Sequence, residues 1–249
     1  MTLLGKNENK IGIMQPYFFP YWGHFALIAN TDKWLVFDTA QYKKRHWINR
    51  NRVFGSNQKW QYLTLPIKNA PLKTPINQTF IKNPKEAFDK IIKQLEHYRK
   101  TAPFYDSTME LISNIFWNFS GTSLSNFNTF SLQKVCQHLQ INFDYQLCSE
   151  IIEMPEYEME PGDWALHYAV RLNKSVYLNP ISGAHLFSKS KFNEAGVRLE
   201  FLVTKPFVYN TGEYSFEKNL SILDVMMWCD IKKIKKQLSE IQIVGADEL

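Results

Sequence analysis

The chain has 249 residues, 45% of them hydrophobic and 15% aromatic, which is enough to bury the core of one large domain or two small ones. Its 29 basic and 24 acidic residues are interspersed, so the formal net charge of +5 argues against a nucleic-acid-binding stripe and leaves anionic small molecules as partners. The three cysteines are too few and too far apart for a disulfide framework or a zinc site, and no run of about 18 apolar residues predicts a membrane span. We therefore expect a cytoplasmic protein with no metal and no membrane insertion.

The first part of the chain alternates strand and helix patterns. Residues 10–14 have the pattern of a short strand, residues 22–29 that of a helix, and residues 33–37 (KWLVF) that of a second buried strand. Strands separated by a helix in this way are typical of a parallel sheet. After a polar and basic stretch, residues 61–67 return to a β-rich alternation.

The middle of the chain is predicted to be helical. Apolar residues spaced by three and four indicate helices over 84–100, over about 105–119, and from Ser123 onward, where serine suits the first position of a helix. We expect these helices to form an insertion at about 84–142 within a single α/β domain that spans residues 1–249.

The last third returns to alternating helices and strands. The patterns predict a helix at 163–173, a strand at 175–179, a helix at 182–196, a strand at 197–203, and a C-terminal helix or helix pair at 220–238. The predicted fold class is therefore α/β: a mostly parallel sheet flanked by helices, with a nucleotidyltransferase/ligase-like (Rossmannoid) core and a helical insertion. Ligands of such folds bind where strands end and helices begin.

The loop at residues 15–24 leaves the first predicted strand and enters the first helix. Free N–H groups at this position attract anions, and Pro16 and Pro20 stiffen the loop by fixing φ. Gly23 allows a close approach of the backbone, and His24 lies in the first helical turn, where it could face a phosphate. This arrangement resembles the Gly-His signature of adenylate-forming nucleotidyltransferases. The alternative is that His24 is a partly buried, hydrogen-bonded structural residue and that the aromatic residues of the loop fill the core.

The segment at residues 38–52 follows the second predicted strand and carries many side-chain donors. Arginine suits bidentate contacts to phosphate or carboxylate, and lysine supplies a point charge. Interleaved aromatic residues favour an anion-binding role over a plain solvated loop, which remains the alternative. A third candidate is the corner at Asn179 and Gly183, where a sugar hydroxyl or an amino-acid carboxylate would bind if all three corners belong to one sheet; a simply capped helix is equally compatible.

Two acidic patterns are interpreted as structural. The glutamates of the run at 150–160 lie near Pro155 and Pro161, which suits a solvated loop better than a metal site. Asp163 and His167 lack a third ligand nearby, so Asp163 is predicted to cap a helix.

The stretches MQPYFFPYWGHFALI and FDTAQYKKRHWINRNRVFG resemble the signature of the WbqC-like family, which is associated with bacterial O-antigen and related surface-glycan gene clusters. The resemblance continues in YLTLPIK, in SVYLNPISGAHLFSKSKFNEAGVRLEFL and in LSILDVMMW, so it covers most of the chain. The positions that match the family pattern are Gln15, Tyr17, Tyr21, Gly23, Asp38, Gln41, Lys44, Asn49, Arg50 and Asn51. Three positions depart from it: His24 stands where Tyr is common, Thr39 where a second Asp is common, and His46 where a smaller residue is usual.

The resemblance implies an enzyme that decorates an amino sugar, for example by adding a glycyl or other acyl group to a 4-amino-4,6-dideoxyhexose. We expect an N-acyltransferase or an ATP-dependent amide ligase of O-antigen (lipopolysaccharide) biosynthesis. Its partners would be a nucleotide-linked amino sugar and a small acyl or amino-acid donor. ATP or another activated acyl donor would be consumed, and no cofactor would be tightly bound. The alternatives are a non-catalytic nucleotide-sugar or glycan binding module and, less favoured, a single-strand nucleic-acid binder that stacks bases on its aromatic residues.

Each candidate residue has an expected role under this hypothesis. His24 or Asp38 accepts the proton of the substrate ammonium group, and Lys44 offsets the charge that develops on phosphate. The expected substrate-binding residues are Gln15, Tyr17, Tyr21, Gly23, Gln41, Arg45, Trp47, Asn49, Arg50, Asn51, Asn179 and Gly183. Of these, Arg45 and Arg50 hold phosphates, and Tyr17, Tyr21 and Trp47 stack on a base or a sugar.

Overall fold

The computed structural model describes residues 9–57, 59–151 and 159–249. The strands in chain order are β1 (Lys10–Met14), β2 (Lys33–Val36), β3 (Arg50–Phe54), β4 (Trp60–Thr64), β5 (Tyr145–Leu147), β6 (Val176–Pro180), β7 (Arg198–Val203) and β8 (Gln242–Gly245). The α-helices are α1 (Trp22–Ala29), α2 (Pro84–Leu95), α3 (Tyr105–Asn118), α4 (Leu124–His138), α5 (Asp163–Arg171), α6 (Lys189–Glu194), α7 (Ile222–Trp228) and α8 (Ile231–Ser239).

Six strands form one sheet in the order β5-β2-β1-β6-β7-β8. All neighbouring pairs are parallel except the last, in which β8 runs antiparallel to β7. The predicted α/β class, with a mostly parallel sheet flanked by helices, is confirmed. The chain passes from β1 through α1 to β2 on one side, whereas β6 pairs with β1 on the other side. The gap between β1 and β6 is therefore the point at which the strand order changes direction, where open α/β sheets bind ligands.

Helices cover both faces of this sheet, because successive strand residues point to opposite sides. Trp34 and Val36 of β2 belong to a large core cluster that also contains apolar residues of α1, α2, α3, α4, α7 and α8. Leu35, between them, belongs to a smaller cluster with residues of α5 and α6. The predicted insertion at 84–142 contains α2, α3 and α4, and the division of the chain into domains stays a prediction.

The structure differs from the sequence-based elements in several places. β3 and β4 pair with each other in a separate antiparallel hairpin and not in the main sheet, and the strands β3, β5 and β8 were not predicted. The predicted helix at 182–196 is divided into a 3-10 helix (Ile181–Leu186) and α6. The cap of α5 is Gly162 and not Asp163, whose carboxylate instead pairs with Lys191 Nζ at 2.8 Å. In the acidic run, residues 152–158 lie outside the described residues. No helix in the described ranges has the length and apolar character needed to cross a membrane.

Candidate functional site

The first component of the site is a cavity at the carboxyl ends of the central strands, which we call the strand-end pocket. Its volume is about 280 Å³. Gln15 follows β1, Phe37 follows β2, and Asn179 belongs to the end of β6. Its lining includes Gln15, Tyr17, Phe37, Trp164, Asn179 and Gly183. It therefore lies at the change of strand direction between β1 and β6, where the fold predicts a ligand.

The second component is a smaller cavity of about 220 Å³, which we call the aromatic pocket. It lies between the loop before α1, the start of the β3–β4 hairpin, and the segment that precedes α7. The residues that line it are Tyr17, Pro20, Tyr21, Trp47, Asn51, Arg52 and Asn219. Because Tyr17 lines both cavities, the two predicted corners meet at one site.

Two phenol groups are available in this site. Burial, with a contribution from Tyr21, raises the pKa of Tyr17, and burial raises the pKa of Tyr21. Both hydroxyls therefore stay protonated near neutral pH and can donate hydrogen bonds. Neither hydroxyl is hydrogen-bonded to any residue of the described ranges. Both hydroxyls are therefore free to donate hydrogen bonds to the oxygen atoms of a ligand.

Gly23 contributes to the site because it has no side chain and leaves room for the ring of Tyr21. A Cβ atom at this position would lie 2.4 Å from Cε2 of the Tyr21 ring, which is too close for any real contact. The ring of Tyr21 therefore folds over the first turn of α1 and occupies the space that a side chain would need. Gly23 is itself buried, and the ring of Tyr21 packs against its backbone. The sequence had instead suggested that this backbone approaches an anion.

The imidazole of His24 is enclosed by aromatic rings. It is 2% exposed, and its ring centre lies 5.1 Å from that of Trp34 and 5.7 Å from that of Tyr17. Burial lowers the pKa of His24 to about 3, so the ring is neutral at physiological pH. Its Nε2 atom is buried and has no hydrogen-bond partner among the described residues. The burial agrees with the structural alternative for His24, but the hydrogen bond that this alternative expected is absent at Nε2, and the enclosed ring gives no support to the predicted role as a proton acceptor.

The carboxylate of Asp38 serves as a local anchor. The side chain is 1% exposed, and Oδ1 accepts a hydrogen bond from the backbone N–H of Ser149 at 3.0 Å. Oδ2 accepts from the hydroxyl of Ser149 at 2.6 Å and from that of Ser125 at 3.4 Å. Since both oxygens are engaged by neutral donors, Asp38 ties the end of β2 to α4 and to the turn after β5. This buried, hydrogen-bonded arrangement gives no support to the predicted role of Asp38 as a proton acceptor.

Buried asparagine side chains shape the loop that forms the site. Asn51 Nδ2 donates to the carbonyl oxygens of Phe18 at 3.1 Å and Phe19 at 2.9 Å. Phe19 has φ of 38°, a strained conformation for a non-glycine residue that such contacts help to hold. Asn128 Nδ2, on α4, donates to the carbonyl oxygens of Pro16 at 2.8 Å and Ile48 at 2.7 Å.

Asn49 has a comparable role, because its Nδ2 donates to the carbonyl oxygen of Leu65 at 3.0 Å. Asn49 and Asn51 are thus positioning residues, and only Asn51 borders a pocket.

The remaining predicted residues of the second corner divide into two groups. Gln41, Lys44 and Arg45 are exposed, and Arg45 has φ of 59°. Arg50 instead stacks on Tyr62, with Cζ 3.9 Å from the ring centre. Within the described ranges, neither Lys44 nor Arg45 nor Arg50 forms an ion pair with a carboxylate. They lie on the segment that borders the aromatic pocket but do not line either cavity.

The third corner is built as a unit. Asn179 Oδ1 accepts a hydrogen bond from the hydroxyl of Tyr177 at 3.0 Å. A Cβ atom on Gly183 would lie 2.4 Å from Asn179 Nδ2, so only glycine leaves room for this amide. Both residues share the strand-end pocket with Gln15, which the sequence placed at a different corner.

The substrate-binding residues predicted from the sequence leave out several that line the site, among them Arg52, Trp164 and Asn219, although Arg52 ends the segment at residues 38–52 that was predicted to bind an anion. Arg52 follows Arg50 by two positions on β3, and a strand period of two would have placed both on one face. Trp164 is the second residue of α5, and Asn219, with φ of 58°, lies shortly before α7. No local pattern connects these two residues to the N-terminal corners, because their contacts there depend on the tertiary fold.

Comparison with known proteins assigns this sequence to a family. The sequence model of the WbqC-like protein family matches residues 15–236, which include every residue of the aromatic pocket and all of the strand-end pocket except Ile13 and Met14. A protein of Mycobacterium tuberculosis (strain ATCC 25618 / H37Rv) with the name Uncharacterized protein Rv1507c is 25% identical over 222 residues, which cover 88% of this chain and 93% of that protein. No solved structure matches this one. The chain belongs to the WbqC-like protein family.

Proposed function

We propose that the protein binds a nucleotide-linked amino sugar in its joined pockets and transfers an acyl or aminoacyl group, such as glycyl, to the sugar amine. This activity would serve bacterial O-antigen or surface-glycan biosynthesis in the cytoplasm. The observation that carries the proposal is that Tyr17 lines both the strand-end and the aromatic pocket, with Arg52 in the lining of the second. Lys44, Arg45 and Arg50, which form no ion pair with a carboxylate in the described ranges, lie on the segment beside it.

The two pockets suit different parts of such a substrate. In the strand-end pocket, the carboxamides of Gln15 and Asn179 lie among aromatic and apolar side chains, a combination that binds neutral, hydroxylated rings. In the aromatic pocket, Tyr21 and Trp47 offer faces for stacking, and Arg52 supplies a positive charge. The sugar therefore fits the first pocket, and the phosphates fit the second.

The chemistry requires an activated donor, because a free carboxylate is a poor acylating agent. In a ligase scheme, the carboxylate oxygen of the amino acid attacks the α-phosphorus of ATP, a new P–O bond forms, and pyrophosphate leaves. The sugar amine then attacks the acyl carbon, the N–C bond forms, and the C–O bond to AMP breaks. The proton of the attacking amine is released to water or to the departing phosphate. A preformed thioester or aminoacyl ester would replace the first step.

The contribution of the protein would be to bind and orient the reactants. An amine and an acyl group that are bound side by side react faster, because the entropy cost of bringing them together has already been met on binding. Hydrogen bonds from the protonated Tyr17 and Tyr21 hydroxyls, together with the charge of Arg52, would stabilise negative charge on the reacting groups.

One observation favours a second candidate, a non-catalytic module that presents a nucleotide sugar to a partner enzyme. His24 and Asp38, the two predicted proton acceptors, are both buried, and the oxygens of Asp38 are already hydrogen-bonded. A binding module needs no such group.

One experiment separates the two candidates. The protein is incubated with ATP, glycine and a nucleotide-linked 4-amino sugar, and the mixture is analysed for AMP and for the amide by mass spectrometry. The transferase predicts an amide, and it predicts AMP in addition if the donor is activated by ATP. Thermal stabilisation by the nucleotide sugar with no amide from a panel of free, thioester and aminoacyl donors would instead identify a binding module.

A further inference from the structure

The β3–β4 hairpin exposes a surface of alternating arginine and aromatic side chains. In the antiparallel register, Arg52 lies opposite Tyr62 and Phe54 lies opposite Trp60. Opposed residues share a face, as do residues two apart along one strand. Arg50, Arg52, Trp60 and Tyr62 therefore lie on the same side of the hairpin. Trp47 joins them, since its ring centre is 6.4 Å from that of Tyr62. We call these five residues the hairpin face.

The guanidinium groups of this face rest on aromatic rings. Arg50 Cζ lies 3.9 Å from the centre of the Tyr62 ring, and Arg52 Cζ lies 5.8 Å from that of Trp47 and 5.4 Å from that of Trp60. Stacking of this kind orients a guanidinium while leaving its N–H groups directed outward in its plane. The two indoles remain accessible, with Trp60 43% exposed and Trp47 37% exposed.

The N–H donors of these arginines have few hydrogen-bond acceptors at short distance. Arg52 Nη2 is 3.4 Å from the carbonyl oxygens of both Lys218 and Asn219, and Nη1 is 3.6 Å from a carboxylate oxygen of Glu217. These are long contacts for a charged group that carries five N–H donors. The Nε atoms of Arg50 and Arg52 are buried and have no hydrogen-bond partner in the described ranges. An anion with several oxygens would accept hydrogen bonds from the terminal N–H groups of the two guanidiniums, because the buried Nε atoms do not reach a ligand.

The hairpin face continues the proposed sugar site. Trp47 and Arg52 line the aromatic pocket. On the far side, Trp60 and Glu217 line a further cavity of about 390 Å³. A ligand that leaves the aromatic pocket across Arg52 therefore reaches the exposed ring of Trp60.

We propose that the hairpin face is the subsite for the nucleoside diphosphate half of the substrate. Arg52 and Arg50 bind the diphosphate, and the base stacks on Trp60. This inference rests on the proposed function for the position of the sugar, and it assigns the diphosphate to Arg52 in place of Lys44 and Arg45. A single-stranded nucleic acid fits less well, because the hairpin face carries only two guanidiniums for a continuing phosphate chain.

The test measures binding without any acyl donor. Isothermal titration calorimetry is performed on the wild-type chain with UDP, dTDP, GDP and ADP, and with uridine and thymidine as probes that lack phosphate. At least one diphosphate should bind at least tenfold more tightly than its nucleoside. Arg52→Gln should weaken that binding about tenfold or more, and Trp60→Ala should weaken it about tenfold by removing one stacking surface.

Matched controls exist elsewhere in the chain. Arg99 also lies over a tyrosine ring, at 5.5 Å from the centre of Tyr105, and Trp117 is an exposed indole on α3. Arg99→Gln and Trp117→Ala should leave the affinity for the diphosphate unchanged. Because Trp60 is largely at the surface, its alanine variant keeps the test valid even if Arg52→Gln fails to fold.

Three outcomes would overturn the inference: no diphosphate binds, binding is unaffected by Trp60→Ala, or an oligothymidylate binds more tightly than every diphosphate. If the same preparation still formed the amide, the proposed function would survive without the subsite. If diphosphates bound in an Arg52- and Trp60-dependent manner but no amide formed with any donor, the subsite would stand and the transferase would fail.

Discussion

The buried imidazole of His24 predicts a specific sensitivity to acid. In the folded chain burial lowers the pKa of His24 to about 3, against an ordinary value of 6.5. A histidine whose pKa is lower in the folded chain than in the unfolded chain contributes stability that is present above pH 6.5. This stability is lost as the pH falls, because the unfolded chain binds the proton first. Acidification to pH 5 is therefore the perturbation, and His24→Phe is the variant that lacks the titrating ring.

The magnitude follows from the two pKa values. Linkage between 6.5 in the unfolded chain and about 3 in the folded chain lowers the free energy of unfolding by about 2 kcal/mol between pH 7 and pH 5. The result changes little as long as the folded-state pKa stays below about 4, because the folded ring is then neutral at both pH values. For a chain of this size the midpoint of urea unfolding would fall by roughly 0.7 M.

The assay compares urea unfolding of wild type, His24→Phe and His24→Leu at pH 7 and pH 5, followed by circular dichroism. The other histidines with a lowered pKa, His46, His97 and His138 among them, titrate in all three proteins, so their effect cancels in the comparison. Wild type should lose about 2 kcal/mol more than either variant. An equal loss in all three would refute the reasoning, since it would mean that the folded ring accepts a proton as easily as the unfolded one. His24 would then be restored as a candidate proton acceptor.

Three further changes test other parts of the structure. Asn128→Ala removes the donor of two buried carbonyl groups and should lower the free energy of unfolding in urea by about 2–4 kcal/mol, whereas Asn126→Ala, exposed on the same helix, should cost under about 1 kcal/mol. Burial raises the pKa of Asp224 to about 6, so its contribution to stability is present below about pH 4 and is lost as the pH rises through 6. Relative to Asp224→Asn, wild type should therefore lose up to about 3 kcal/mol between pH 4 and pH 7, and no change in the difference would contradict this. Gly23→Ala should displace the ring of Tyr21 and weaken calorimetric binding of a nucleotide-linked amino sugar about tenfold. Unchanged affinity would remove Tyr21 from the site.

Much of the fold could be predicted from local patterns. The strands at β1, β2, β6 and β7 are short apolar runs flanked by helices with periodic apolar residues, and a sequence records such patterns directly. The hairpin of β3 and β4 could not be separated from the main sheet in this way. The hairpin packs against α7 and the loop before α1, and these contacts hold it apart from the main sheet. Such contacts join residues far apart in the chain, so a local pattern does not record them.

The sequence also located the corners of the site but not the orientation of their side chains. Rules for parallel sheets placed Gln15, Asp38 and Asn179 at one edge, and the structure has them there. Whether a polar residue is used by a ligand or by the protein depends on which backbone groups need partners, and this is decided only after folding. Asp38 is engaged by Ser125 and Ser149 for this reason.

Composition, periodicity and motif thus determined the class of fold, the family resemblance and the edge of the sheet where a ligand would bind, because these properties depend on residues close together in sequence. The tertiary structure alone decided that His24 is enclosed and neutral, and that Arg52 rather than Lys44 lines the aromatic pocket. It also brought Asn219 to the same pocket from the far end of the chain. The physical reason is that burial, and with it the pKa and the availability of each polar group, is set by neighbours that the chain brings together only when it folds.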